Sequence, residues 1–318
     1  MIYFVLMKII SNKTKQFLVL LLKIIVVSSA FYYIYNKLSS DNTLDLALLK
    51  EVFVNPQHTW AILALLFLTF SNRFVEILKW QNLASLIHPI SVGQATKQVL
   101  SALTLGIFTP NGIGEYAGKA LYFPKKDTGR VIFLNMLCNG VQVIYAILFG
   151  LLGLTILNYT HHFIPPYYLW ILYGIALALL LLIFSLRHLS IKGYSIQTVV
   201  QMLREIPKGI HRKNLFLALL RYASFTHQYV ILYYLFDVDI PYFDLLCAVA
   251  AIYLLASSLP NFQFLEFAVK GSIALFIFTA LDVNQWVVAL VATLIWLLNI
   301  VLPISIGSFF VLTFSVKK

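Results

Sequence analysis

The chain has 318 residues, 61% of them hydrophobic and only 11% charged, with a formal net charge of +11. That balance departs from soluble composition toward a membrane protein, and no segment is long and polar enough to make a separate soluble domain. The basic residues sit between apolar runs, where they report orientation; no basic patch interleaved with stacking aromatics supports binding to nucleic acid.

Lys8, Lys13 and Lys15 precede the first apolar run, Phe17 to Tyr35. Ser28-Ser29-Ala30 resembles a signal-peptide cleavage site, but Lys23 interrupts the apolar region and hydrophobic residues continue to Tyr35, so a membrane span is expected. The loop Asn36 to His58 contains LDLALLKEVF, which suits a short helix lying on the surface. A second span is expected from about Thr59 to Trp80, with Asn72, Arg73, Glu76 and Lys79 in its last turns. Arg73 and Glu76 are three apart and can pair on one face.

Ser91 to Phe108, a break at Pro110-Asn111-Gly112, and Ile113 to Phe123 follow. The apolar part before the break covers about half of a hydrocarbon core roughly 30 Å thick, so a re-entrant hairpin is expected. After the basic cluster Lys125, Lys126 and Arg130 comes a third span, Val131 to Leu157. The loop Asn158 to Pro166 holds no Lys or Arg. A fourth span, Tyr167 to Leu186, leads into the longest polar stretch, Arg187 to Asn214. Within it Ile196, Val199, Val200, Leu203 and Ile206 recur at helical spacing, which fits either an amphipathic helix on an anionic leaflet or a solvated linker. The fifth span, Leu215 to Phe236, contains Arg221, His227 and Gln228. A second broken pair, Tyr242 to Leu259 and Phe262 to Leu281, folds at Pro260-Asn261. The last span runs from Trp286 to Phe314, ahead of Lys317-Lys318.

The chemistry-bearing stretch is TPNGIGEYAGK, Thr109 to Lys119, and SLPNFQFLEFAVKG, Ser258 to Gly271, repeats its plan. Both copies have Pro-Asn and then Glu, an aromatic, Ala, one residue and Lys. Glu115 precedes Lys119 and Glu266 precedes Lys270 by four positions, the order and spacing of a helical ion pair. Ionisable pairs at membrane depth are costly and read as functional by default. The candidate binding residues are therefore Glu115, Lys119, Glu266, Lys270, Arg73, Asn111 and Asn261. Pro110, Gly112, Gly114 and Pro260 are the expected structural breaks. A bland alternative is that each Glu-Lys pair only satisfies itself between helices. Arg221 can snorkel, and His227 and Gln228 suit interhelical hydrogen bonds. Cys138 and Cys247 lie in apolar stretches and the seven histidines form no ligand-spaced cluster, so no metal site is expected. No cofactor is implied either.

With a cytoplasmic N-terminus, every loop assigned inside is rich in Lys and Arg, while the outside loops collect Asp41, Asp45, Glu51, Asp237, Asp239, Asp244 and Asp282. The same parity holds if each hairpin is a pair of full spans, so it sets orientation and not hairpin depth. The expected fold is an all-α integral membrane protein with about six full transmembrane helices and two re-entrant helical hairpins. It forms one membrane domain over 1–318, with 1–160 and 161–318 as halves of an inverted repeat. Ser71-Asn72-Arg73-Phe74-Val75 against Thr226-His227-Gln228-Tyr229-Val230 adds a second echo.

FTPNGIGEYAGKALYF, the upstream EILKW at Glu76 to Trp80, and the second Pro-to-Glu segment with Leu302-Pro303 and Gly307 resemble the transmembrane region of the lysylphosphatidylglycerol synthase/flippase family. The resemblance covers nearly the whole chain; its first motif is fairly specific and the remainder is mostly hydropathy. It implies an integral protein of the bacterial cytoplasmic membrane, both termini cytoplasmic, that moves aminoacylated or polyprenyl-linked lipids between leaflets. It carries over to Pro110, Gly114, Glu115 and Lys119, and to Pro260 and Glu266. Two departures stand out. The family's second motif is usually glycine-rich before its Glu, whereas Asn261 to Leu265 has no glycine, and the soluble aminoacyl-transferase domain of bifunctional members is not found here, so no synthase activity is expected.

A lipid flippase or scramblase is thus the leading expectation, acting on membrane lipids, with a homodimer or a separately encoded lipid-modifying enzyme as candidate partners. A membrane-embedded lipid-carrier transferase would need an acid-base pair or metal carboxylates facing water, and no Asp-rich or His-rich cluster supplies them. An ion-coupled small-solute transporter could use the same carboxylates. No nucleotide-binding loop is present to use ATP.

Overall fold

A computed structural model describes residues 50, 52–107, 109, 112–185, 190–191, 194–258 and 266–313. The expected span Phe17 to Tyr35, most of the surface helix expected after it, the hairpin residues Pro110, Asn111, Pro260 and Asn261, and the terminal Lys317-Lys318 lie outside the described residues. The described helices and the cavity they line belong to the unit Val52–Lys318.

Apart from a two-residue antiparallel ladder, β1 (Ser190–Ile191) with β2 (Tyr194–Ser195), the described elements are helices. Four runs are long and apolar enough to cross a membrane: Pro56–Ala84, Lys125–His161, Lys208–Leu235 and Gln285–Val311. The first contains α1 (Thr59–Ala84), which runs one turn past the expected end at Trp80 and carries Asn72, Glu76 and Lys79 on its buried side. Then come α2 (Val92–Gly106) and the short α3 (Ile113–Ala120). A capping box starts α2: Ser91 accepts from the Gln94 backbone and Gln94 reaches back to Ser91 N–H, which satisfies two donors the helix leaves free. Fifteen residues rise about 22 Å and eight about 12 Å, both short of a bilayer core.

The long α4 (Thr128–His161) is followed by α5 (Pro166–Ser185). Tyr167, Trp170, Leu177 and Leu181 of α5 are all exposed. A helix apolar all round with bare side chains fits contact with lipid rather than water. The amphipathic stretch is α6 (Ile196–Glu205). The helix after it, α7 (Lys208–Leu235), begins seven residues before the expected Leu215, because Pro207 sets its start and Arg212 and Lys213 ride on its first turns. The second pair is α8 (Tyr242–Ser257) and α9 (Glu266–Thr279).

The last span is one run with a flaw in it. Helix α10 (Gln285–Trp296) passes through a π-helical turn at Leu297–Val301 into α11 (Leu302–Leu312). Pro303 supplies no N–H, so in α-helical register the carbonyl of Asn299, four residues earlier, has no partner in its own helix. Four residues beyond Pro303, Gly307 lets α11 rest on α2: a Cβ there would stand 2.3 Å from the Leu100 carbonyl oxygen.

The principal helix contacts are α1 with α7, α4 with α8, α2 with α3 and α11, and α9 with α10. Beneath the α1–α4 region, Trp80, Leu83, Ala95, Val99, Val131 and Leu134 form a buried apolar cluster. Trp80 meets Phe123 edge to face at 6.1 Å.

Candidate functional site

Two polar networks sit among these apolar helices, one sealed and one open. The sealed one belongs to the first motif. Gly112, at φ 66°, takes the left-handed conformation that caps the N-terminus of α3. Two residues on, a Cβ at Gly114 would stand 2.5 Å from the Leu105 carbonyl, so only glycine allows α3 to fold this tightly against α2. Thr109 Oγ1 accepts from Gly114 N–H at 2.7 Å and secures the turn.

Helix α3 then places Glu115 and Lys119 one turn apart. Lys119 Nζ donates to Glu115 Oε1 at 2.7 Å and to Asn135 Oδ1 at 2.6 Å, and it lies 4.8 Å from the centre of the Trp80 ring. The Trp80 indole N–H is itself held by Gln98 Oε1 at 2.7 Å. Lys119 is fully buried and Glu115 is 6% exposed. With a carboxylate, an amide oxygen and an aromatic face around it, the ammonium is satisfied internally.

Around α1, α7 and the π turn lies the open network. Glu76 of α1 pairs with Arg73 on its own helix and with Arg221 of α7 at 3.3 Å. Arg221 Nε also donates to Asn72 Oδ1 at 3.1 Å. A second guanidinium nitrogen of Arg73 donates to the Asn299 carbonyl, the group that would face the N–H-less Pro303 in α-helical register. From there Asn299 Nδ2 donates to Gln228 Oε1 at 3.0 Å, and Gln228 Nε2 to Thr69 Oγ1 at 2.6 Å. Asn72 Nδ2 closes the loop on Asn299 Oδ1. The interhelical roles expected of Gln228 and His227 both appear: Gln228 joins α7 to α1 and the π turn, and His227 meets Tyr242 Oη of α8 at 2.6 Å.

This network forms one wall of a cavity of about 320 Å³ lined from α1, α4, α7, α8, α9 and the α10–π segment. Arg73, Arg221 and Lys270 supply three cations and Glu266 one carboxylate to the lining. Glu266 and Lys270 form an ion pair, and Lys270 Nζ lies 4.3 Å from the centre of the Tyr253 ring. Tyr229, Phe225 and Trp296 continue the aromatic side. From α4, Gln142 reaches the cavity, and behind it the fully buried Lys79 donates to the Cys138 carbonyl at 2.9 Å and to Gln142 Oε1 at 3.5 Å.

The two motif pairs therefore occupy different surroundings. Glu266, Lys270 and Arg73 come together at the cavity; Glu115 and Lys119 are not among its lining residues. Asn111 and Asn261 lie outside the described residues. Among the described residues no group of three or more His, Cys, Asp or Glu side chains could hold a metal ion. Gln142, Asn299, Tyr229 and Tyr253 also line the cavity although neither motif contains them, and Arg221 reaches it rather than snorkelling. Asn299 carried a usable signal, an amide four residues before a proline in an apolar run. The other three are isolated residues on separate helices.

A scan against family models gave no match, and searches of curated proteins and of solved structures gave none either.

Proposed function

We propose that the chain is an integral membrane protein that lets a lipid headgroup cross between leaflets through the cavity while the acyl chains stay in the bilayer. One observation carries this reading: a charged cavity sits among helices apolar enough to span a membrane, where each ionised group is costly unless used or paired. A volume of about 320 Å³ suits a headgroup and leaves no room for two acyl chains. The motif resemblance to lysylphosphatidylglycerol synthase/flippase transmembrane regions points the same way, as do the bacterial cytoplasmic membrane and the inside-facing termini it implies.

The reading includes an inverted repeat with two re-entrant hairpins. It is supported by packing that survives exchange of the halves. With α1, α2, α3 and α4 taken as counterparts of α7, α8, α9 and the α10–α11 run, the α2–α11 contact maps onto α8–α4, α2–α3 onto α8–α9, and α3–α4 onto α9–α10. The α1–α7 contact maps onto itself. Inverted repeats with short broken helices at the repeat interface are a common transport design.

The first helix pair then serves as a fixed support and the second as the working face. Replacing Glu266 and Lys270 together, Glu266→Gln with Lys270→Met, is expected to reduce leaflet exchange of a labelled phospholipid in reconstituted vesicles at least tenfold with protein content unchanged. Exchange at the original rate would refute the assignment. Saturable uptake of a water-soluble solute without lipid exchange would select a solute transporter instead.

A further inference from the structure

We infer that the cavity is a site for one phosphate-type oxyanion, held by Arg73, Arg221 and Gln142. As a statement about which headgroup enters, this rests on the transport reading; as a binding site it stands separately.

Charge makes the first argument. Arg73 and Arg221 share the single carboxylate of Glu76, so two guanidiniums have one counterion between them. Lys270 is matched by Glu266 and leaves the balance unchanged. Among the described residues Lys79, directly behind the lining, donates to neutral acceptors, so no carboxylate hydrogen-bonded to it offsets the two guanidiniums. An apolar surround strengthens the pull of that excess on an anion.

Unmet donors make the second. Arg73 Nε and Gln142 Nε2 are buried and have no hydrogen-bond partner among the described residues, and both belong to residues that line the cavity. Buried donors without acceptors are rare in folded proteins and mark a place where a ligand or water completes the structure. The two are held in position independently. Lys79 binds the oxygen end of Gln142, leaving its nitrogen end free, while Glu76 and the Asn299 carbonyl fix the outer nitrogens of Arg73. A tetrahedral oxyanion accepts from several N–H donors at once, and guanidinium groups match it in geometry as well as charge.

The test is equilibrium binding to the detergent-purified full chain, with two probes run in parallel: radiolabelled inorganic phosphate and a short-chain phosphatidylglycerol. One anion per chain is expected, with mutual competition between the probes. Arg221→Gln is expected to weaken binding at least tenfold and Gln142→Met several-fold, while Arg221→Lys retains part of it; unfolding midpoints confirm that each variant is folded. Phosphate alone binding would keep the site and assign it to a soluble anion; the lipid alone binding would assign it to a headgroup. Binding of neither probe, or affinity unchanged in folded Arg221→Gln and Gln142→Met, overturns the proposal. Anion binding without leaflet exchange would remove the transport reading and leave this site. Leaflet exchange of labelled phospholipid by a chain that binds neither probe would do the reverse.

Discussion

Replacing Glu76 by Gln is expected to lower the free energy of unfolding by about 3–5 kcal/mol, the cost of stripping a buried ion pair of one partner. Glu76 is 4% exposed and is the shared counterion of Arg73 and Arg221, so its loss leaves two guanidiniums facing each other across α1 and α7. The effect is larger than for a surface pair, where solvent screening reduces the value to about 1 kcal/mol or less. Anything that binds the folded form stabilises it, so inorganic phosphate should recover part of the loss and should stabilise Glu76→Gln more than the parent chain. The check is the thermal unfolding midpoint in detergent, with phosphate against chloride at matched ionic strength. A midpoint that does not move would mean the arginines are compensated elsewhere.

Lys119→Met is expected to cost a similar amount, again about 3–5 kcal/mol, because Glu115 and Asn135 would keep buried acceptors without their shared donor. Adding Glu115→Leu should restore most of that stability, since a buried ion pair replaced by packed apolar groups is often neutral. The double variant should also retain leaflet exchange, because neither residue lines the cavity. Unfolding midpoints for the single and double variants, together with their exchange rates, separate support from passage. A stable double variant that no longer exchanges lipid would place the first pair in the pathway.

Hydropathy was enough to find the long helices, because a run of apolar residues needs no partner to be recognised. The Glu-Lys pairs were equally legible, since their geometry is local: four residues along a helix bring the side chains together wherever that helix goes. The different fates of the two pairs were not legible. Lys119 is sealed by Asn135 and Trp80, which arrive from α4 and α1, while Lys270 opens onto a cavity closed by Arg73 and Arg221 from α1 and α7. These depend on contacts between different helices, from Lys119 with Asn135, 16 positions apart, to Asn72 with Arg221, 149 apart, and no pattern within either helix encodes them. The π turn was half legible: Pro303 announces a missing donor, but that Arg73 would be the group to replace it is a fact of packing.

The most direct test of the central claim is to plug the cavity. Ser257 lines it and is exposed, whereas the native Cys138 and Cys247 are buried, so Ser257→Cys offers a selective attachment point. Leaflet exchange of labelled phospholipid is then measured in vesicles before and after reaction with a bulky, polar thiol reagent. Exchange should stop on modification and return when the adduct is reduced away; a fully modified protein that exchanges lipid at its original rate would show that headgroups travel by another route.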